Sequence, residues 1–178
     1  SDTVRVQGRI SQGVAGIKLN DGDHVVGLIV AADHETTILT ITRNGMAKRS
    51  RLGDGEMHPA LGEDGVQKTD SNGEPVLERD GYRRSNRGTK GVRTMSLDED
   101  DGIVVVRQVA DLADQLFLLT EKGMMMRMPA HQSKETKGRV SKGTRLIELR
   151  NAKKDGYADQ VIFAARLPAG LVDDDEEE

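Results

Sequence analysis

The sequence predicts an all-β protein assembled from repeated, blade-like units. One observation is a glycine stretch, studded with cations, that leads into a strand-like run. It occurs three times, at Arg9–Leu19, Asn86–Arg93 and Arg139–Leu149. The other is a strand–turn–strand pattern at fixed spacing, with Thr42 and Thr120, like Gly45 and Gly123, 78 residues apart. Removing the acidic segment 53–81 brings the spacing of Gly13 and Gly88 to about 46, so the unit is about 50 residues, the length of a four-stranded propeller blade.

Composition agrees. A chain of 178 residues is long enough to bury a core, and 20 glycines with 31% charged residues suit short strands joined by turns. There is no cysteine, which excludes a disulfide framework and thiolate chemistry and fits a reducing compartment. No signal peptide opens the sequence and no apolar run reaches the length of a membrane span, so the expectation is a soluble, cytoplasmic protein with no membrane partner. The net charge of −4 hides an asymmetry: residues 1–52 carry +2, 53–81 carry −6, 82–154 carry +7 and 155–178 carry −7. Basic repeats with acidic appendages point to a nucleic-acid surface.

Taken in order, residues 1–8, with Val4 and Val6 alternating, read as the end of a preceding blade. Residues 9–52 read as a blade. Within it Val25–Val30 is β-branched and reads as a buried strand, and Ile38–Thr42 and Met46–Arg49 flank Asn44-Gly45, the strongest short hairpin signal, for which a type I′ turn with positive φ at both central residues is expected. Residues 53–81 read as an acidic, glycine-rich linker or insertion, a mobile loop with one hint of a hairpin around Asp70-Ser71-Asn72-Gly73.

Residues 82–132 repeat the blade. Ile103–Val109 is its buried strand, and Leu116–Thr120 and Met124–Arg127 are its hairpin. Residues 133–168 supply Lys154-Asp155-Gly156 as a turn and Val161–Ala165 as a strand, then stop, so this final blade reads as incomplete. Residues 169–178 form an acidic tail, Asp173–Glu178, expected to be disordered.

A cation beside glycine at the mouth of a strand lets the backbone approach a phosphate while the charge neutralises it. The candidate DNA contacts are Arg9, Lys18, Lys48, Arg49, Arg51, Arg83, Arg84, Arg87, Lys90, Arg93, Arg127, Lys137, Arg139, Lys142 and Arg145. Aromatics at 2% argue against single-strand binding, which relies on base stacking; backbone contact to a bent duplex fits better. No catalytic or metal-ligating set emerges. Asp98-Glu99-Asp100-Asp101 lacks EF-hand spacing and reads as a turn. Gly88-Thr89-Lys90-Gly91 lacks P-loop spacing. Tyr82 and Tyr157 have neither a base nor a metal cluster beside them.

The three units resemble the C-terminal β-pinwheel domain of bacterial DNA gyrase A subunits. The resemblance rests on Gly13-Val14-Ala15-Gly16-Ile17-Lys18-Leu19, Arg87-Gly88-Thr89-Lys90-Gly91-Val92, Asp23-His24-Val25-Val26 and Ile38–Arg49. It implies the last three of six four-stranded blades, followed by an acidic tail. It also implies a module that wraps double-stranded DNA for ATP-dependent negative supercoiling by a type II topoisomerase. Breakage, ATP and Mg2+ would belong to other parts of an assembly of two A and two B subunits, near the nucleoid. The family's Q-R-R-G-G-K-G box is absent from this chain. A topoisomerase IV domain that contacts DNA without chiral wrapping, and a protein-binding propeller scaffold, are the alternatives.

Overall fold

A computed structural model describes residues 4–31, 33–137, 140–149 and 158–171. Arg139, the turn at Lys154–Gly156, Tyr157 and the tail Asp173–Glu178 lie outside the described residues. The regular structure of the described chain is β apart from two short 3-10 turns: Thr37–Thr42 (β1), Met46–Arg51 (β2), Met57–Pro59 (β3), Leu77–Arg79 (β4), Ile103–Val109 (β5), Gln115–Thr120 (β6), Met125–Pro129 (β7), Thr144–Arg145 (β8) and Val161–Leu167 (β9). They form a four-stranded sheet in the order β5-β1-β2-β8, a three-stranded sheet β7-β6-β9 and a small pair β3-β4. No described helix is long and apolar enough to cross a membrane.

Both hairpins stand where the sequence places them, with Ile41 opposite Ala47 and Leu119 opposite Met125. The Asn44-Gly45 turn differs from the type I′ expectation, and the second turn is built like it. Within them only Gly45 (+79°) and Gly123 (+76°) have positive φ; no described residue other than glycine does. Each loop therefore has three residues with glycine at the left-handed position. Gly45 donates to Thr42 O and Gly123 to Thr120 O, both at 3.0 Å. The Thr42 and Thr120 hydroxyls accept from Met46 and Met124 at 3.2 and 3.1 Å, so each turn is closed by its buried threonine.

The sheets mix sequence units. β5, from the second unit, pairs antiparallel with β1 of the first, and β9, from the third, pairs with β6 of the second. The registers are equivalent: Thr42 faces Ile103 and Thr120 faces Val161, each after an irregularity in the ladder. The third unit's strand thus completes the sheet of the second hairpin.

It also overturns the reading of Val25–Val30 as a buried strand. Val25 lies 78 residues before Ile103, but the described residues hold two such hairpins and three such segments. Among the described residues the first segment has no strand partner; Val26 and Ile29 are half-buried, but Leu28 is 89% and Val30 86% exposed. A hydrophobic run becomes a buried strand only where a partner ladder and a facing layer exist.

The core lies where the two larger sheets meet. Leu39 and Ile41 of β1, Leu116 and Leu118 of β6, and Val161 and Ala164 of β9 are fully buried, with Val105 and Val109 of β5 beside them. Burying each of these larger side chains stabilises the fold by about 1.5–3 kcal/mol. Arg107 of β5 ties the sheets together: its Nε donates to Ala164 O at 2.9 Å and its guanidinium lies 5.7 Å from the Phe163 ring centre.

The acidic segment 53–81, which reads from sequence as a mobile loop, is threaded by backbone hydrogen bonds. Ala60 N–H donates to Val76 O (2.8 Å), Val76 to Lys68 O (2.9 Å) and Lys68 to Ala60 O (2.8 Å), closing a ring of three residues spaced eight apart. Each eight-residue turn ends in Asp64-Gly65, Asn72-Gly73 or Asp80-Gly81, with every glycine at positive φ. The hint at Asp70–Gly73 is a real turn. Asp70 Oδ1 accepts from the Asn72 and Glu74 amides at 2.8 and 2.9 Å. These amides, Glu74's foremost, hold the Asp70 carboxyl below the usual carboxylate range.

Candidate nucleic-acid interface

The glycine stretches meet side by side. Lys18 N–H donates to Thr89 O at 2.9 Å and Gly88 N–H to Gly16 O at 2.8 Å, so the first two stretches run together backbone to backbone. Glycine supplies the left-handed backbone of this run; Gly88 and Gly91 have φ of +75° and +74°. Ser96 N–H reaches Ser141 O at 3.2 Å, which brings the third stretch beside the second. Between the first two lies a cavity of about 520 Å³ whose lining includes Lys18, Lys90, Arg93, Asn20 and Asp23.

Of the candidate cations, Lys18, Arg87 and Lys90 are exposed on or beside this paired backbone, and Arg83, Arg84 and Arg93 are exposed on the chain flanking it. Lys90 Nζ is steadied by Asn20 Oδ1 at 2.9 Å, and Arg84 Nε donates to Asp54 O at 3.2 Å. Arg9 and Lys137 are exposed elsewhere. Arg127 is exposed on β7, 5.9 Å from the centre of the cross-strand Phe117 ring. Arg145 is exposed on β8. Lys142 is exposed but ion-paired with Asp98, and Arg51 is paired with Glu35 (2.7 Å) and Asp80 (3.1 Å).

Lys48 and Arg49 are corrections to the sequence reading. Lys48 is 1% exposed, with Nζ donating to Thr94 O at 2.7 Å. Arg49 is 8% exposed and holds Ser133 O through Nε at 3.1 Å and Glu135 at 3.3 Å. A basic pair at a strand end reads as surface, but β2 is an interior strand between β1 and β8. Both cations are turned inward to satisfy carbonyls.

Two residues that meet beside these cations are not legible as a pair in the sequence. The Tyr82 hydroxyl is hydrogen-bonded to Thr94 Oγ1, twelve residues away across the cationic run. No spacing in the sequence announces such a pair. Among the described residues no three His, Asp or Glu side chains converge as a metal site. Asp98–Asp101 is a turn closed by Asp101 N–H to Asp98 O at 3.1 Å.

Comparison with known proteins places these features. The family model of the DNA gyrase C-terminal domain, a beta-propeller, matches residues 1–32, 36–54, 77–110 and 114–167. The acidic segment from 55 to 76 falls outside that match. The DNA gyrase A protein of Staphylococcus epidermidis is 34% identical over 148 residues, which cover 83% of this chain and 13% of that protein. Its counterpart in Staphylococcus aureus is 33% identical over 83% of this chain and 14% of its own length. The chain thus spans about one-seventh of the relatives it matches.

Two solved structures share the fold. The C-terminal domain of DNA topoisomerase IV has a TM-score of 0.68 at 19% identity, covering 94% of this chain and 42% of that one. The DNA gyrase A C-terminal domain has 0.64 at 20%, covering 94% and 45%. With the repeat, the paired sheets and the sequence match in agreement, this chain belongs to the DNA gyrase C-terminal domain family of beta-propellers.

Proposed function

We propose that the chain is a DNA-wrapping module of a gyrase A protein, binding and bending duplex DNA so that an ATP-dependent type II topoisomerase introduces negative supercoils. The observation that carries this is the pairing of the glycine stretches, which presents Lys18, Arg87 and Lys90 together on exposed backbone with Arg83, Arg84 and Arg93 nearby. Cations on close-approaching backbone suit phosphates rather than bases. Arg9, Arg127, Lys137, Arg139 and Arg145 are offered as outer contacts along a bent path; Lys142 and Arg51 would join them on leaving their carboxylates.

In this reading the chain contributes no catalytic residue. Strand breakage, ATP hydrolysis and Mg2+ belong to the gyrase B protein and to the rest of gyrase A, in a cytoplasmic assembly of two copies of each. Identity above 30% to gyrase A proteins over most of the chain favours gyrase over topoisomerase IV.

Duplex binding against salt tests the proposal. Replacing Arg87, Lys90 and Arg93 together by alanine should flatten the log–log salt slope by about 0.9 per phosphate contact, near 2.7 in total, and weaken unrelated sequences alike. Binding insensitive to salt would instead indicate a protein-binding scaffold. Supercoiling by the whole enzyme separates wrapping from simple contact.

A further inference from the structure

We propose that Tyr82, Thr94 and Lys48 form a latch that holds the cationic stretch 83–93 as a closed loop, and that they are positioning residues for its phosphate contacts. The positioning role rests on the DNA-binding reading above; the latch itself does not.

The two ends of the stretch are pinned against each other and against the sheet. Tyr82 N–H donates to Leu52 O at 2.8 Å, fixing one end to the exit of β2. The Tyr82 hydroxyl meets Thr94 Oγ1, closing the loop. Thr94 O then receives Nζ of Lys48 at 2.7 Å, from a lysine 1% exposed within β2. The next residue, Met95, is 3% exposed and anchors the exit.

Between these points Arg83, Arg84, Arg87, Lys90 and Arg93 are all exposed. Five like charges in eleven residues repel one another, and inside the stretch only the pairing of Gly88 and Thr89 with Gly16 and Lys18 opposes that. An open loop would have to be ordered when DNA binds, which lowers affinity without removing any contact. The second hairpin carries no such latch. Seventy-eight residues after Lys48 stands Met126, facing Leu118 as Lys48 faces Thr40, and a thioether carries no proton to donate.

The experiment combines hydrogen exchange on the whole chain with titration of mixed-sequence linear duplex DNA over a salt series. Tyr82→Phe keeps the ring and removes the hydroxyl; Thr94→Val removes Oγ1 and keeps the carbonyl; Lys48→Met removes the inner donor. Tyr82→Phe and Thr94→Val should speed exchange of the Gly88 amide, which donates to Gly16 O, and of the Lys18 amide paired to Thr89 O, while leaving the β1, β5 and β6 amides protected. Duplex affinity should fall about three- to tenfold with an unchanged salt slope, because the contacts survive and only their ordering is lost. Lys48→Met should do the same or more, and where it fails to fold, the two milder variants decide.

Unchanged exchange of the Gly88 and Lys18 amides in Tyr82→Phe and Thr94→Val overturns the latch, whatever DNA does. Faster exchange with unchanged affinity overturns the positioning role. An unchanged salt slope in the triple-alanine variant of Arg87, Lys90 and Arg93 removes the DNA role of the loop itself, and the positioning role with it.

Discussion

Asp159 Oδ1 accepts a hydrogen bond from the backbone amide of Lys122 at 3.0 Å. The same bond recurs one unit earlier, where Asp101 Oδ1 accepts from the Asn44 amide at 3.0 Å. In both cases an aspartate just before a strand of one unit caps the hairpin turn of the unit before it. Backbone bonds beside it repeat too: Arg43 N–H to Gly102 O and Glu121 N–H to Gln160 O, both at 2.8 Å. The turn-capping aspartate therefore sets the register in which one unit's strand joins its neighbour's hairpin.

Burial raises the Asp159 pKa, but hydrogen bonds from Thr120 and from the Lys122 and Gln160 amides outweigh it and hold the carboxyl below its ordinary value. A carboxylate depressed in the folded state stabilises above its unfolded pKa, and that stability is lost as pH falls through the folded one. Asp159→Ala should cost about 1–3 kcal/mol at neutral pH by leaving amides unpaired. The gap from the unsubstituted chain should narrow as the medium is acidified below the carboxylate range. Denaturant melts across pH check this; a gap that widens in acid would mean the sign is wrong.

Leu118 and Leu28 make a controlled pair. Leu118 is 0% exposed in β6, whereas Leu28 is 89% exposed. Leu118→Ala should destabilise the chain by about 2–5 kcal/mol, while Leu28→Ala should stay within about 0.5 kcal/mol. Equal losses would place Leu28 in a packed layer that the structure does not show.

Arg49 distinguishes an internal strut from a DNA contact. Arg49→Met should cost about 1–3 kcal/mol by orphaning Ser133 O and loosening the segment at Glu135. It should leave the salt slope of duplex binding untouched. A slope reduced by about 0.9 would return Arg49 to the phosphate surface.

What the sequence discloses and what it withholds divide along physical lines. The hairpins at Gly45 and Gly123 are legible because turn chemistry and alternation are local. The exchange of strands between units is not, since β5 pairs equally well in pattern with either hairpin. The fate of Val25–Val30 depends on that exchange. Among the cations, clustering of Arg83 to Arg93 is readable, but the burial of Lys48 depends on β2 being an interior strand. The union of Lys18 with Lys90 depends on a backbone pairing across about seventy residues.

The acidic segment should be removable without unfolding the sheets. Gly53 and Gly81 cross at its neck, with φ of +67° and +63°, and a Cβ built on either would lie 2.6 Å from the other's backbone nitrogen. Tyr82 N–H already donates to Leu52 O at 2.8 Å. Joining Gly53 directly to Gly81 turns that bond into the i to i+3 closure of a two-residue turn, Leu52-Gly53-Gly81-Tyr82, with positive φ at both centres as a type I′ turn requires. Only Ala60 of the excised residues belongs to the buried apolar set, and the pair from Arg51 to Asp80 is a surface pair of small worth. Excision of 54–80 removes eight acids and two bases, taking the formal net charge from −4 to +2. The shortened chain should unfold cooperatively with a Tm near that of the parent. It should bind duplex DNA more tightly at low salt, with the gain vanishing near 1 M, where the Debye length falls to about 3 Å. Loss of cooperative unfolding would show that the segment supports the sheets, and equal or weaker binding at low salt would show that its charge does not oppose DNA.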